Sequence, residues 1–260
     1  MNRKGIILAG GLGTRLNPIT KVINKQLLPI YNKPMIYFPL SVLMQIGVRE
    51  ILIISNPNDI QMFKKLLGNG KTFGININYK IQNYPNGIAA AYKLAEKFLD
   101  NKPSVLILGD NLFYGSNLIK KLQLAKKYKH STIFTYKVKN PESYGVYFKK
   151  DKIRKIIEKP KNYVSNNAVV GVYFLSSQAP KLSKKLKYSS RKELEITDLN
   201  NIYLEKKTTK VIKLDSGVTW LDTGSFDGLL NASNFVMTIE KRQGVEMASL
   251  YDIAKKNRWI

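Results

Sequence analysis

Short runs that read as buried strands alternate with segments of helical periodicity, and this alternation constrains the chain more than any other feature. Residues 5–9 (GIILA), 50–54, 79–82, 105–108 and 132–138 are the strand-like runs. Between them, residues 35–47 carry Ile36, Leu40, Leu43 and Met44 at helical spacing and stop at Gly47. A segment ending at Lys65, residues 89–99 and residues 118–128 follow the same grammar. Strand–helix–strand succession implies parallel pairing through right-handed crossovers, hence an α/β fold.

Beyond Asn140 the pattern loosens. Residues 145–148, 153–157 and 169–175 are strand-like, and residues 180–186 predict a helix. Thr197 reads as the N-cap of a helix through Glu205, with Asp198 favourably placed in its first turn. A strand near residues 211–214 and one or two helices complete the chain. No repeat or low-complexity linker interrupts it, so one continuous domain over residues 1–260 is expected.

Composition narrows the chemistry. With 44% apolar residues the chain can bury a real core, and the absence of cysteine excludes disulfides and thiolate metal sites. Residues 5–9 are too short for a signal segment or a membrane span, so a cytoplasmic protein with no membrane partner is expected. The net charge of +25 invites a nucleic-acid reading, but 36 of the 43 basic residues are lysines, spread in pairs such as Lys64-Lys65 and Lys255-Lys256. No recognition motif accompanies them. Solvated helix faces, no nucleic-acid partner and a preference for anionic small substrates are expected.

The first strand runs into "GGLGTRLNP" (residues 10–18). A P-loop needs Gly-Lys-Ser/Thr after four intervening residues, which is absent. A dinucleotide fingerprint needs glycine at position 16, which is Leu16. What remains is a glycine cradle with Arg15 and Lys25 behind it, suited to a triphosphate, with a simple tight turn as the alternative.

Carboxylates follow two strand-like stretches. "LILGDN" delivers Asp110 just past a strand end, where open α/β sheets bind ligands, and "WLDTG" carries Asp222 in a similar setting. Either suits Mg²⁺, and either also suits a turn cap. "EKP" (Glu158-Lys159-Pro160) and "IQNYPNG" with Gln82 and Gly87 are weaker signals, the second able to read a base edge. His130 alone, without cysteine, builds no zinc site or Ser-His-Asp triad, and reads as an exposed turn residue.

In this order, "GIILAGGLGTRLNP", "KQLLPIYNKPMIYFPL", "REILIIS", "LGDNLFYG", "YGV", "EKP", "ELEITDLN" and "WLDTG" closely resemble the glucose-1-phosphate thymidylyltransferase family of sugar nucleotidyltransferases, over essentially the whole chain. The resemblance implies a Rossmann-like three-layer α/β/α fold with a mostly parallel, mixed central sheet. Residues 1–140 would form the nucleotide-binding half and residues 141–260 the sugar-binding and C-terminal half. The implied reaction joins dTTP and α-D-glucose 1-phosphate into dTDP-glucose and pyrophosphate, the first step of dTDP-rhamnose synthesis.

By the same resemblance, Leu8, Gly10, Gly11, Gly13, Thr14, Gln26, Gln82 and Gly87 bind the nucleotide, the last pair at thymine. Arg15 and Lys25 serve the triphosphate and departing pyrophosphate, and Lys159 the sugar phosphate. Gly145, Glu158, Val169 and Trp220 surround the sugar. Asp110 and Asp222 hold Mg²⁺. Two departures stand near the substrates: Ala90 replaces a glutamine, and Val170 replaces a threonine before Gly171. The family also continues past "RWI", where this chain stops at Ile260, which puts feedback inhibition and the usual tetramer in question; a homo-oligomer, dimer or tetramer, is expected. Alternatives are a transferase using another nucleotide or sugar, and a non-catalytic sugar-nucleotide binder.

Overall fold

A computed structural model describes residues 2–260. The first half runs β1 (Lys4–Ala9), β2 (Pro29–Ile30), β3 (Lys33–Pro34), α1 (Tyr37–Gln45), β4 (Glu50–Ser55), α2 (Ile60–Leu67), β5 (Asn76–Ile81), α3 (Ala90–Leu99), β6 (Ser104–Leu108), β7 (Asn111–Gly115), α4 (Leu118–Lys127) and β8 (Ser131–Lys137). The second half runs β9 (Gly145–Lys150), β10 (Ile153–Glu158), β11 (Asn167–Leu175), α5 (Ala179–Ser183), α6 (Ile196–Glu205), β12 (Thr209–Lys213), β13 (Val218–Asp222), α7 (Phe226–Gln243) and α8 (Leu250–Lys256).

The central sheet has nine strands in the order β10-β9-β11-β6-β1-β4-β5, with β8 pairing β11 and carrying β12 beyond it. β6, β1, β4 and β5 are mutually parallel, as the βαβ grammar requires. β11 lies antiparallel to β6, β8 and β9, so the second half turns the sheet from parallel to mixed.

Helices cover both faces because the strands are apolar on both. Ile7, Ile51, Ile53, Val105 and Ile107 pack towards α1, α2, α4 and α8. Their neighbours Ile6, Leu52, Ile54 and Leu106 pack towards α3, α5 and α6. Alternation with period two therefore divides one sheet between two cores, giving three layers. The carboxyl ends of β1, β4, β5 and β6 share one edge, and the loops leaving that edge build the site.

Two local expectations change. Thr197 is not the cap of α6: Glu195 holds the extended backbone of the cap position, and the Thr197 hydroxyl is committed to Glu158. The helix expected over residues 180–186 ends at Ser183, where the backbone switches to tighter turn bonds through Lys185 and Leu186. His130 is an exposed turn residue, as read. Among the described residues no helix is long and apolar enough to cross a membrane.

Candidate active site

The glycine loop is folded by its own side chains. Gly13 adopts φ +64°, and a Cβ there would lie 2.9 Å from Thr20 Cγ2, while the Thr20 hydroxyl donates to the Gly13 carbonyl at 2.8 Å. A short 3₁₀ turn then carries Thr14 and Arg15. Asn24 anchors the far side of the loop: its side chain donates to the Ala9 carbonyl and to Asp59, and accepts the Gln26 N–H at 2.9 Å. That cap starts the turn Lys25–Leu27 and aims Lys25 past Gly11, whose missing Cβ would touch its stem at 3.8 Å. Gln26 is 1% exposed, and its Oε1 has no partner among the described residues. An orphaned buried acceptor beside the glycine loop is what a ligand-binding position leaves behind.

Asp110 leaves β6 through Gly109, where any Cβ would meet the Leu8 carbonyl and Gln26 at 2.9 Å. Asp110 forms a largely buried ion pair with Lys25. Burial pushes its carboxyl up, but the Lys25 charge and hydrogen bond prevail and hold it below the usual carboxylate range. β7 then pairs antiparallel with β13, setting Asp222 opposite Asn111. Thr223 completes the join, donating through N–H and hydroxyl to the Asp110 carbonyl at 3.2 and 2.8 Å.

Asp222 is raised, first by burial and then by the Asp110 charge. Arg15 approaches it to 3.9 Å, over Gly224, where a Cβ would stand 2.4 Å from the guanidinium. The result is a line of charge in which two adjacent carboxylates, Asp110 and Asp222, are flanked by Lys25 on one side and Arg15 on the other.

A cleft of about 290 Å³ extends from this line into the second half, lined by Arg15, Asp110, Gly145, Glu158, Lys159, Val169, Trp220 and Asp222, all singled out from sequence. Gly145 pairs with Glu158 across β9 and β10, and a Cβ there would lie 3.0 Å from the carboxylate and from the Thr197 hydroxyl. Thr197 donates to Glu158 Oε2, and Arg191 reaches Glu158 Oε1 at 3.2 Å and Glu195 at 2.9 Å. Trp220 is fixed by Asn111, which accepts its indole N–H at 2.7 Å, and by the ring of Tyr144, 5.1 Å away.

Gln82 and Gly87 lie beside the cleft rather than in its lining. Gln82 is buried at the end of β5, and its Oε1 stands 3.0 Å from where Gly10 would carry a Cβ. Gly87 has φ +99° and packs onto the Leu194 backbone, where a Cβ would fall 2.4 Å from the carbonyl oxygen. Both departures are buried, on opposite faces of the sheet. Val170 points into the core beneath β11, while its neighbours Val169 and Gly171 face the cleft, so the expectation that Val170 bears on the substrates is corrected by strand alternation. Ala90 is buried at the start of α3, packed with the core on that face.

Asn24 and Arg191 also belong to this constellation and carried no motif signal in sequence, whereas Asn111, Tyr144 and Asn200 lie within "LGDNLFYG", "YGV" and "ELEITDLN" without a role assigned to them there. Arg191 sits in the polar run "SSRKELE", which reads as an ordinary loop. Asn200 lines the cleft, and its buried Oδ1 has no partner among the described residues.

Comparison with known proteins agrees with this geometry. The nucleotidyl transferase family model matches residues 4–239. The chain is 48% identical over 260 residues to glucose-1-phosphate thymidylyltransferase of Neisseria meningitidis, covering 99% of this chain and 90% of that protein. It is 44% identical to the Mycobacterium tuberculosis enzyme of the same name, at 99% and 90% coverage. Among solved structures, a putative glucose-1-phosphate thymidylyltransferase of Bacillus anthracis superimposes with a TM-score of 0.82 at 38% identity, covering 90% of this chain and 94% of that one. A UDP-glucose pyrophosphorylase complexed with UDP-glucose gives 0.80 at 26% identity, with 92% and 99% coverage. The chain therefore belongs to the nucleotidyl transferase family and, within it, to the glucose-1-phosphate thymidylyltransferases.

Proposed function

We propose that the protein joins dTTP to α-D-glucose 1-phosphate, releasing dTDP-glucose and pyrophosphate, at the entry to dTDP-rhamnose synthesis. The observation that carries this reading is the charged line Lys25–Asp110–Asp222–Arg15, set where the glycine loop meets the cleft containing Glu158 and Lys159. One side offers backbone and cations to a triphosphate. The other offers a carboxylate, a lysine and an indole to a phosphorylated sugar.

In this reaction a sugar phosphate oxygen attacks the α-phosphorus in line, a new P–O bond forms, and the bond to pyrophosphate breaks. No protein nucleophile is needed, so the chain's work is to position two anions and to stabilise charge. Lys159 and Arg191 draw the sugar phosphate towards the glycine loop, while Glu158, held by Thr197, accepts from sugar hydroxyls. Arg15 and Lys25 neutralise the triphosphate and receive the leaving group's charge. Trp220, fixed through Asn111, walls the sugar pocket against water.

The donor set also fits a divalent cation. Two buried carboxylates brought together by β7 and β13 repel one another, and no third His, Asp or Glu joins them among the described residues. That is a poor all-protein cage and a good partial one for Mg²⁺, which takes one or two carboxylates and completes its shell with phosphate oxygens and water. Asp110 and Asp222 would hold the ion, which supplies charge neutralisation on the transferring phosphoryl group.

Incubation of the purified protein with dTTP, glucose 1-phosphate and Mg²⁺ should release pyrophosphate and form dTDP-glucose. Absence of release above blank would overturn the reading. Faster turnover with UTP than with dTTP would replace it with the related uridylyl transfer.

A further inference from the structure

We infer that Asn86 is a positioning residue: it locks the orientation of the Gln82 carboxamide at the place where the family resemblance puts the thymine base, and the preference for thymine over cytosine depends on that lock. The inference rests on the nucleotidyl-transfer reading above and adds to it a mechanism for choosing between pyrimidines of equal size.

A glutamine amide carries an acceptor at one end and two donors at the other, so its recognition properties depend on which end faces the ligand. Here the end is determined by a neighbour. Gln82 Nε2 donates to Asn86 Oδ1 at 2.8 Å. The backbone of Gln82 is fixed as well, its N–H donating to the Ser55 carbonyl at 2.8 Å beyond the last rung of β4 and β5. With one Nε2 hydrogen committed to Asn86, the amide is turned so that Oε1 faces Gly10 of the glycine loop, and Oε1 has no donor among the described residues.

Asn86 is in turn held by its backbone. Its carbonyl accepts the Leu194 N–H at 2.8 Å, and Ala89 N–H returns to the Leu194 carbonyl at 3.1 Å. Gly87, pressed against the same Leu194 backbone, leaves its own N–H without a partner among the described residues. The loop therefore offers an acceptor at Gln82 and a donor at Gly87. An imide edge, N3–H beside C4=O, is the complement of that pair. Cytosine carries N3 as an acceptor beside an amino group and opposes it at both positions, leaving buried polar groups unpaired.

The decisive substitution is Asn86→Asp, because a carboxylate can only accept and must keep Nε2 turned towards it. Asn86→Leu removes the partner and frees the amide to rotate. Dissociation constants for dTTP and dCTP are measured by calorimetry on the unmodified full chain and both variants, together with KM and kcat for pyrophosphate release. N86D should keep dTTP affinity within about threefold of wild type and keep the preference over dCTP, whereas N86L should weaken dTTP about tenfold and shrink that preference. The loss should appear in KM for dTTP, with kcat and KM for glucose 1-phosphate little changed.

Loss of dTTP binding in N86D, to the level of N86L or below, would overturn the assignment by showing that Gln82 presents its donor end. Unchanged selectivity in N86L would overturn it too. Should N86L fail to fold, Asn86→Ala, which also removes the acceptor, takes its place with the same expected outcomes. A wild-type protein that binds dTTP and releases pyrophosphate, but whose selectivity ignores Asn86, refutes this inference and leaves the transfer reading intact. A wild-type protein that does neither refutes both.

Discussion

Asp222 stands opposite Asn111 on the β7–β13 ribbon, so its carboxylate and that of the preceding Asp110 are brought to one place although they come from opposite halves of the chain. Thr223 fastens the arrangement to the Asp110 carbonyl. Burial of Asp222 beside the Asp110 charge disfavours its ionised form and destabilises the folded protein, which is why the Asp222 carboxyl is raised. Asp222→Asn removes that repulsion while keeping an acceptor for the Gly224 N–H. The substitution should lower kcat about 100-fold or more and raise the melting temperature of the free protein by about 1–3 °C. Calorimetric scans without ligand, beside pyrophosphate release, test the pair of effects; a melting point that falls would show that Asp222 is not under electrostatic strain.

Lys25 is the counterweight. In the wild type its ammonium holds Asp110 charged, and that pairing stabilises the fold at neutral pH, fading as pH falls through the depressed folded pKa of Asp110. Lys25→Met leaves a buried carboxylate without its partner and should cost about 3 kcal/mol at pH 7. In the variant the Asp110 carboxyl is raised instead, so acidification protonates it and relieves the penalty. Urea unfolding at pH 7 and at lower pH should therefore show the gap between variant and wild type narrowing on acidification. A constant gap would mean that Lys25 contributes through packing alone.

At the other edge of the sheet, far from the chemistry, Arg3 is 1% exposed and has no carboxylate partner among the described residues. Its guanidinium instead donates to the carbonyls of Lys126 in the last turn of α4, of Tyr128 and His130 just after it, and of Ser104 and Leu175 at the strand ends. Burial lowers its pKa to about 10, which leaves it charged at neutral pH. Arg3→Lys keeps the charge but cannot span these acceptors from one nitrogen, and should destabilise the protein by about 3 kcal/mol. Below the melting transition kcat should match the wild type; a lowered kcat in a fully folded variant would mean that this edge communicates with the site.

The parallel half was legible in sequence because apolar strands and helical periodicity leave a local imprint. Asp110 was legible as well, since a charged residue after a buried strand marks a strand end. The pairing of β7 with β13 was not, because "NLFYG" and "VTWLD" are too short to show alternation and pair across more than a hundred residues. Yet that ribbon is what unites Asp110 with Asp222. The same limit hid Arg191 and Asn24, whose partners include Glu158 and Asp59 far along the chain, and it misdirected Thr197. A threonine before a helical run is a cap by local rules, but here its hydroxyl has a stronger claimant in Glu158.

That claimant makes Thr197 a test of how the sugar pocket is held. Its hydroxyl and the Arg191 guanidinium take the two oxygens of Glu158, fixing the carboxylate beside Gly145. Thr197→Val keeps the branched shape and removes only the donor, so Glu158 is freed to swing towards Arg191. KM for glucose 1-phosphate should rise about tenfold, while KM for dTTP stays unchanged because the glycine loop is untouched. Thr197→Ser restores the hydroxyl and should recover most of the loss. If valine and serine variants behave alike, packing rather than the hydrogen bond sets the pocket, and Glu158 needs no such support to meet its substrate.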